Sequence, residues 1–577
     1  MRPRASRIVL GALALLAAAS PSLLRAAEPL RPQGTPPSPA FNRLNPYEDI
    51  VGHLKGYAAA YPKWAKVESI GKSGQGRDLW MITITNPETG PELSKPAMYI
   101  DGNTHANEVQ GAEAALYTAD YLLKNYGRLP RVTEMLDRSV FYILPMVNPD
   151  GRTLWFKGPS DSDFPRTVMV PVDDDRDGVS DEDGYDDVDG DGYVTTMRKK
   201  VPMGQGSYRQ NAKDPRLLDE IKPGELGDWE MLGKEGFDND RDGRVNEDTV
   251  GYVDPNRTWG FSWEPTYVQP GAGPYPLSIA ETRAIATWAL QHPNIAAVQS
   301  YHNNGQMILR GPGAKSDPAY PPQDLKAYDL IAKEGEKLLP GYRYFISWKD
   351  LYTVHGGTTD HFYNIMGAVA FTNEMYNPPA DFDKDGNITE EELMRFNDNL
   401  SLGRQWVDWK PYDHPQYGPI EVGGWKRDVG RVPEGWALED ETHRNSSFVL
   451  FHAYHLPRLS IGDVTVKKVA DRLWRLEVPV LNDRAIPSML AVAAQGKLHR
   501  QDVATVTGGK VISSGVIDNA FLDKVSLQSK RPGRLMVPGV DGLSTRQLFF
   551  LVEGDGEVTV NYDSVKGGKV SRKVALK

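Results

Sequence analysis

Asp101-Gly-Asn-Thr-His105-Ala-Asn-Glu108 is the stretch that decides how this chain folds and what it can do. Before it, Pro96-Ala-Met-Tyr-Ile-Asp101 reads as a short buried strand. After it, residues 112–126 have helical composition, with Leu116, Leu122 and Leu123 available for a core face. His105 and Glu108, three apart at the end of a strand, can converge on one metal ion. An imidazole nitrogen and a carboxylate both suit Zn²⁺ at about 2.0–2.2 Å, and a catalytic zinc needs one more protein ligand plus water. The spacing alone is common by chance, so its weight rests on residues further along the chain.

The next candidate is His302, closing Ile295-Ala-Ala-Val-Gln-Ser-Tyr-His302, an apolar run that ends in a polar cluster. An open α/β sheet places its site residues there, at the carboxyl ends of strands. Taken singly, His302 reads more readily as a hydrogen-bonded histidine at a strand end than as a ligand. A further strand, Gly367-Ala-Val-Ala-Phe-Thr-Asn-Glu374, finishes on a carboxylate. Burying an unpaired carboxylate is costly, so Glu374 must be paired, solvated by a cleft or functional. Two histidines, a glutamate ligand and a second glutamate make a water-activating metal hydrolase, in which the free carboxylate takes the proton of an activated water.

With these residues in place, the sequence resembles the zinc metallocarboxypeptidase family of carboxypeptidase A, over roughly Asn45 to Trp409 apart from one acidic insertion. His105-x-x-Glu108 is similar to the family's first metal pair and His302 to its third ligand. Val253-Asp254-Pro-Asn256-Arg257-Thr-Trp259 is similar to the segment in which Asn256 and Arg257 would bind the substrate's terminal carboxylate while Asp254 orients a zinc histidine. Met197-Arg198-Lys199 resembles the segment holding the arginine that polarises the scissile carbonyl. Leu351-Tyr352-Thr-Val-His-Gly356-Gly357-Thr-Thr-Asp360 resembles the mobile tyrosine loop, with Tyr352 in the tyrosine place. Phe371-Thr-Asn-Glu374 resembles the strand carrying the general base, and Asn148-Pro149-Asp150-Gly151 matches a further signature.

The assigned roles are chemically consistent. A planar guanidinium such as that of Arg257 recognises a free carboxylate through paired hydrogen bonds. A fixed cation such as Arg198 steadies a tetrahedral oxyanion. Tyr352, on a Gly-Gly loop, can close over substrate and exclude water. One departure is Asn107, where many pancreatic-type members carry arginine; this resembles the regulatory branch of carboxypeptidases N and E. That branch cleaves basic ends with acidic pocket residues. Here the matching positions are Leu309, Gly313, Leu351, Thr359 and Thr372, none acidic, which implies apolar or aromatic C-terminal residues; Arg310 nearby would instead favour acidic ones.

A second signal is repeated aspartate spacing. Asp381-Phe-Asp383-Lys-Asp385-Gly386-Asn387-Ile388-Thr-Glu-Glu-Glu392 matches an EF-hand loop, with oxygen ligands at Asp381, Asp383, Asp385, Asn387 and Glu392. A shorter variant has Asp238, Asp240, Asp242 and Glu247. Between Asp173 and Asp191 lie eleven acids in nineteen residues, phased as Asp173, Asp175, Asp177 and as Asp187, Asp189, Asp191. That phasing favours Ca²⁺ over a plain solvated acidic loop. Calcium would rigidify the segments presenting Arg198, Asn256, Arg257 and Glu374.

At 577 residues the chain is too long for one ordinary domain, and 40% hydrophobic with 25% charged residues fits a globular protein. The net charge of −11 has no sizeable basic patch with interleaved aromatics, which excludes nucleic acid as a partner. Residues 1–27 read as a secretory signal: Arg2, Arg4 and Arg7 precede an apolar core at 8–19 too short to span a bilayer. No later stretch is long and apolar enough to cross a membrane. With no cysteine for a disulfide or lipid anchor, packing and ions must stabilise it, consistent with a secreted or periplasmic bacterial enzyme.

Residues 28–44 form a Pro-rich linker, and 45–455 a catalytic domain with an acidic insertion at about 160–250. This domain is expected to be α/β, a mixed open sheet with helices on both faces, closed by a helix at 393–409. Residues 456–577 have short strands separated by Gly and Asp turns, a small all-β sandwich in which no chemistry and no partner is legible. The expected activity is zinc-dependent removal of C-terminal residues from peptides or proteins. Two rivals stay open: a same-family hydrolase of cell-wall peptides or other amides, and a catalytically silent calcium-dependent binding protein.

Overall fold

Apolar runs and helical stretches alternate along the catalytic region, and they assemble into one large mixed sheet. A computed structural model describes residues 27–158, 166–171, 173, 176–427 and 429–577. Residues 1–26, with nearly all of the expected signal segment, and Asp175 lie outside the described residues. Helix α1 (Tyr47–Ala60) leads into β1 (Ala65–Lys72) and β2 (Asp78–Ile84). Then come β3 (Ala97–Gly102), α2 (Gln110–Asn125), α3 (Pro130–Arg138), β4 (Val140–Leu144) and α4 (Pro149–Lys157). The insertion supplies β5 (Thr196–Lys200), β6 (Tyr208–Gln210), β7 (Leu218–Glu220) and β8 (Trp229–Lys234). After it come α5 (Ala280–Leu290), β9 (Ile295–Asn303), β10 (Met307–Arg310), α6 (Pro322–Leu338), β11 (Arg343–Ile346), α7 (Thr358–Asn364) and β12 (Val369–Met375). Helix α8 (Glu390–Phe396), the hairpin β13 (Trp406–His414) and β14 (Gly418–Trp425), and α9 (Gly435–Tyr454) complete the region.

The main sheet has the order β1-β2-β4-β3-β9-β12-β10-β11. Its centre, β4-β3-β9-β12, is parallel throughout. Such strands need cover on both faces, and they read as apolar runs for that reason. Side chains alternate across the sheet: Met98 and Ile100 join the core beneath α1, α2, α6 and α9, whereas Ala97 and Tyr99 join the core beneath α5 and α7. The expected α/β class, with helices on both faces, is what the structure has.

Two expectations change. The helix expected at 393–409 stops early, because Leu402 and Gly403 take left-handed backbone (φ 55° and 77°) before β13 begins; the helix packed on the sheet is α9. The acidic insertion is not only loop: β5–β8 pair with the hairpin as a second sheet, β13-β14-β5-β8-β6-β7. The 28–44 segment has no helix or strand but lies along the catalytic region, with Phe41 buried in its core and the Gln33 amide donating to Ala60 O (2.8 Å).

Beyond residue 458 two antiparallel sheets enclose a separate core drawn from both, with Leu476, Val478, Leu548 and Phe550 from one and Ala504, Val560 and Tyr562 from the other. This region docks firmly on the first. Asp324 of α6 accepts from the amides of Ala491 and Val492 (2.6 and 3.0 Å) at the start of α10 (Ala491–Gly496), and Lys566 donates to Ile295 O at the root of β9. No helix among the described residues is long and apolar enough to cross a membrane.

Candidate functional site

The carboxyl ends of β3, β9 and β12 lie side by side, and each delivers part of one cleft. Register sets Glu374 opposite His302 and Gly102 opposite Tyr301. Glycine at 102 is required by packing: a Cβ there would come within 2.5 Å of the Gly111 backbone, so α2 could not start so close to the strand end. The turn between them, which holds His105 and Glu108, is fastened from below. Asn103 Nδ2 donates to the carbonyls of His105 and Ala106 (2.8 and 3.1 Å), and the buried Arg152 guanidinium grips Asn103 Oδ1 and Val109 O, both at 2.9 Å.

Three donor atoms then converge. His105 Nδ1 lies 2.8 Å from Glu108 Oε1, His302 Nδ1 lies 2.9 Å from Glu108 Oε2, and the two Nδ1 atoms are 3.2 Å apart. All three side chains are buried. Asp254 Oδ1 sits 3.0 Å from His105 Nε2 and can hold a proton on that nitrogen, the tautomer in which Nδ1 turns its lone pair inward. Two imidazole lone pairs and a carboxylate aimed at one point, at spacings a single small ion sets, fit Zn²⁺ in the His₂Glu manner. Burial opposes ionisation of Glu108, yet the two histidines hold its carboxyl well below the usual range. Asp254 is likewise held low, against burial, by His105 and Arg257.

Around this triad the cleft encloses about 240 Å³, and Arg166, Asn256, Arg257, Tyr352, Glu374 and Arg431 line it. Burial, then the charge of Glu108, pushes the Glu374 carboxyl up to about 7. Asn256 Oδ1 accepts from the amide and hydroxyl of Thr358 (2.9 and 3.0 Å), which leaves its NH₂ group for the cleft. Tyr352 is half exposed, its ring centre 6.0 Å from the Arg257 guanidinium. The loop beside it closes on Arg257 at Gly356 (φ 64°), where a Cβ would meet Arg257 O at 2.3 Å.

Arg198 is not brought here, and its expected role is corrected. It belongs to β5 in the second sheet, where its guanidinium pairs with Glu421 (2.7 Å) and stacks between Trp229 and Trp409 (4.5 and 3.9 Å). The guanidinium beside the triad is that of Arg166, 3.1 Å from His105 Nε2, 3.3 Å from Glu108 Oε1 and 3.4 Å from Asp254 Oδ2. Sequence reasoning sought this arginine after the aspartate-rich run at 173–191; it stands before that run, where no motif marks it.

The pocket also differs from expectation. Leu309, Leu351, Thr359 and Thr372 line it, together with Met307 and Val354, but so does a carboxylate, Asp360. Gly313 fits only by lacking a side chain, since a Cβ would come 2.6 Å from Asp360 Oδ2. Burial, then Asp317, raises Asp360 to about 7, and Tyr320 donates to it at 3.2 Å. Arg310 is turned away, donating to Tyr344 Oη and Gly311 O.

The aspartate loops adopt repeated turns in which side-chain oxygens accept nearby amides, as Asp381 does from Gly386 (3.1 Å) and Asp187 from Gly192 (2.8 Å). Glu392 caps α8 in a reciprocal box with Thr389. Carboxylates cluster as Asp187, Asp189 and Asp191, and as Asp238, Asp240 and Asp242. Asp240 also meets Asp177 and Glu182, and Asp183 and Glu247, so the first and second loops face one another. The sequence reading missed Glu182 and Asp183.

A family model described as zinc carboxypeptidase matches residues 50–179 and 190–387, and one described as a domain of unknown function matches 458–575. Carboxypeptidase Z of Mus musculus is 38% identical over 122 residues, 21% of this chain and 18% of that protein. Carboxypeptidase D of Anas platyrhynchos is 35% identical over 113 residues, 20% of this chain and 8% of that protein. The matched part therefore spans less than a fifth of the length of either relative. A solved carboxypeptidase A from Helicoverpa armigera is similar with a TM-score of 0.44 and 17% identity, covering 73% of this chain and 76% of that one. With the zinc-carboxypeptidase match extending over more than half of its length, the chain belongs to the zinc carboxypeptidase family.

Proposed function

We propose that the protein is a zinc-dependent carboxypeptidase that hydrolyses the C-terminal peptide bond of peptides. The observation behind this reading is the meeting of His105, Glu108 and His302 at one point with Glu374 beside them on the neighbouring strand. A zinc ion held by those three residues would supply Lewis acidity, acidifying a water and polarising the scissile carbonyl. Glu374 takes the proton from that water and returns it to the leaving amine. Arg166 replaces Arg198 as the cation that steadies the developing oxyanion. Arg257, the Asn256 amide and Tyr352 hold the terminal carboxylate, and this fixes which bond lies over Glu374.

The walls of Met307, Leu309, Leu351 and Val354 favour an apolar or aromatic C-terminal side chain. Asp360 does not reverse this preference, because burial favours its neutral form and Tyr320 already occupies it. The aspartate loops are read as structural calcium sites. This is supported by carboxylate oxygens of Glu182, Asp238, Glu247 and Asp381 that are shut off from solvent without a donor, which costs free energy unless a cation is present. The basic, then apolar N-terminal sequence supports export, to the periplasm or beyond, in a bacterium. The domain limits at 45–455 and 456–577 are retained.

The test is a panel of N-acylated peptides with free or amidated C-termini and varied last residues. Release of the last residue from free-ended peptides, fastest for aromatic and apolar ones, is expected. Equal cleavage of amidated peptides would overturn the exopeptidase reading.

A further inference from the structure

Strand β1 is the outer strand of the main sheet, paired on one side with β2. Its other edge is open. Trp64 O accepts from the Thr85 amide (3.1 Å), which sets the phase of the antiparallel ladder. In such a ladder, residues bonded to the neighbour alternate with residues whose amide and carbonyl point away from it. Val67 lies opposite Ile82 and Ser69 opposite Trp80, both in the outward-pointing phase. Their amides and carbonyls meet no backbone partner among the described residues.

Helix α5 runs along this edge and forms a groove of about 600 Å³ with it. Gly71 permits the approach, since a Cβ there would come within 2.5 Å of the Ala284 Cβ. Ala280, Arg283, Ala284, Thr287 and Gln291 make up one stripe of the helix, spaced by three and four residues. On β1, Lys66, Glu68 and Ile70 share the side that faces them. An unpaired strand edge with a helix stripe beside it is how an extended peptide adds as a further strand. Its main chain pairs with the edge, and alternate side chains lie over the helix.

Charge selects the occupant. At one end of the groove the ions are matched: Lys66 pairs with Glu68 (2.6 Å), and His292 lies 3.7 Å from Glu92. At the other end, beside Gly71 and Ala284, Lys72 is held by Asp78 (2.9 Å). Arg283 there is exposed and forms no ion pair among the described residues, and its one hydrogen bond is a 3.4 Å donation to Ser278 O. Glu281, two residues away, is buried and accepts instead from the Gly74 amide (2.8 Å). We propose that this groove is a second peptide-binding site, which takes an extended polypeptide segment as an added strand on β1 with an acidic side chain against Arg283. Strand β1 is antiparallel to β2, β2 to β4, and β4 is parallel to β3. The Arg283 end therefore opens on the same rim of the sheet as His105, three strand spacings or about 14 Å from β3. A segment docked there lies beside the cleft without entering it, so the proposal stands apart from the carboxypeptidase reading.

The test titrates the full chain into fluorescein-labelled, C-terminally amidated peptides of about ten residues, the length of one strand. One peptide alternates Thr with Glu and the other Thr with Lys, and anisotropy reports binding. The Thr-Glu peptide should bind about 10-fold more tightly. Ser69→Pro removes an outward amide while leaving the ladder with β2 intact, and should weaken that binding about 10-fold or more. Arg283→Glu, at an exposed helix position, should reverse the order of the two peptides, a gain that a misfolded variant cannot show. Cleavage of short free-ended peptides should be unchanged in both variants. Binding by Ser69→Pro equal to that of the unmodified protein, an unreversed order in Arg283→Glu, or no binding at millimolar concentration would overturn the proposal. A dimer of the unmodified protein that Ser69→Pro splits would assign the edge to a second copy and overturn it as well.

Discussion

Replacing Arg152 with methionine should destabilise the catalytic region far more than an ordinary buried substitution. Arg152 and Glu113 are both fully buried. The guanidinium donates to Asn45 O through Nε and Nη2, to Asn103 Oδ1 and Val109 O through Nη1, and to Glu113 Oε1 (2.7 Å). Glu113 in turn accepts from the amide and side chain of Asn45 (2.8 and 2.6 Å). Burial pushes Glu113 up and Arg152 down, so each keeps its charge through the other. Arg152→Met leaves the carboxylate buried and unpaired, at a cost of about 3–5 kcal/mol. Spread over a region of roughly 410 residues, whose unfolding entropy is about 0.9 kcal/mol/K, this lowers Tm by about 3–6 °C. Calorimetry of the zinc-loaded protein measures it. Adding Glu113→Gln should recover at least half of the loss, because no lone charge then remains inside. A Tm loss under about 1 °C, or a double variant that sums the two single losses, would refute the reasoning.

Three further outcomes are expected from the same structure. Asp254→Asn keeps the shape but not the charge facing His105, so zinc affinity measured by competition with a chelator should fall about 10- to 100-fold. Lys566, buried against Ile295 O, has its pKa lowered by burial to about 7 from 10.5. Its penalty on the folded state is full below pH 7 and fades towards pH 10.5, because the unfolded chain holds the proton through that interval. Lys566→Met should therefore raise Tm most at pH 6 and least near pH 10, and a pH-independent difference would contradict this. Removing calcium with a chelator, then restoring zinc, should lower Tm and loosen the facing loops around Asp240, seen as faster proteolysis between 173 and 248. Unchanged melting and cleavage would eliminate the calcium sites.

The sequence disclosed the parts of this site that lie at strand ends. His105, Glu108, His302 and Glu374 each come after an apolar run, and the pairing of those strands brings their carboxyl ends together. The arginines were harder to place. Arg198 sits beside a plausible motif, but its strand hydrogen-bonds to β14, a partner more than two hundred residues away, which carries it into the second sheet. Arg166 reaches the triad from a segment without periodicity, through a long-range backbone contact with Ala106 (3.2 Å) that no local pattern encodes. Asp360 escapes the sequence reading because it stands one residue past Thr359, and only the packing of α7 shows that both reach the pocket. Arg431 comes from the connection after the hairpin, and only the Asn303 and Asn304 amides reveal where it goes.

The central claim is that Glu374 works on a water beside an ion held by His105, Glu108 and His302. Its most direct test is Glu374→Gln, with zinc content and turnover measured on the same preparation. One zinc per chain with kcat reduced by about 10²–10⁴-fold or more is the expected result. Turnover within about 10-fold of the unmodified protein, with zinc in place, would contradict the account.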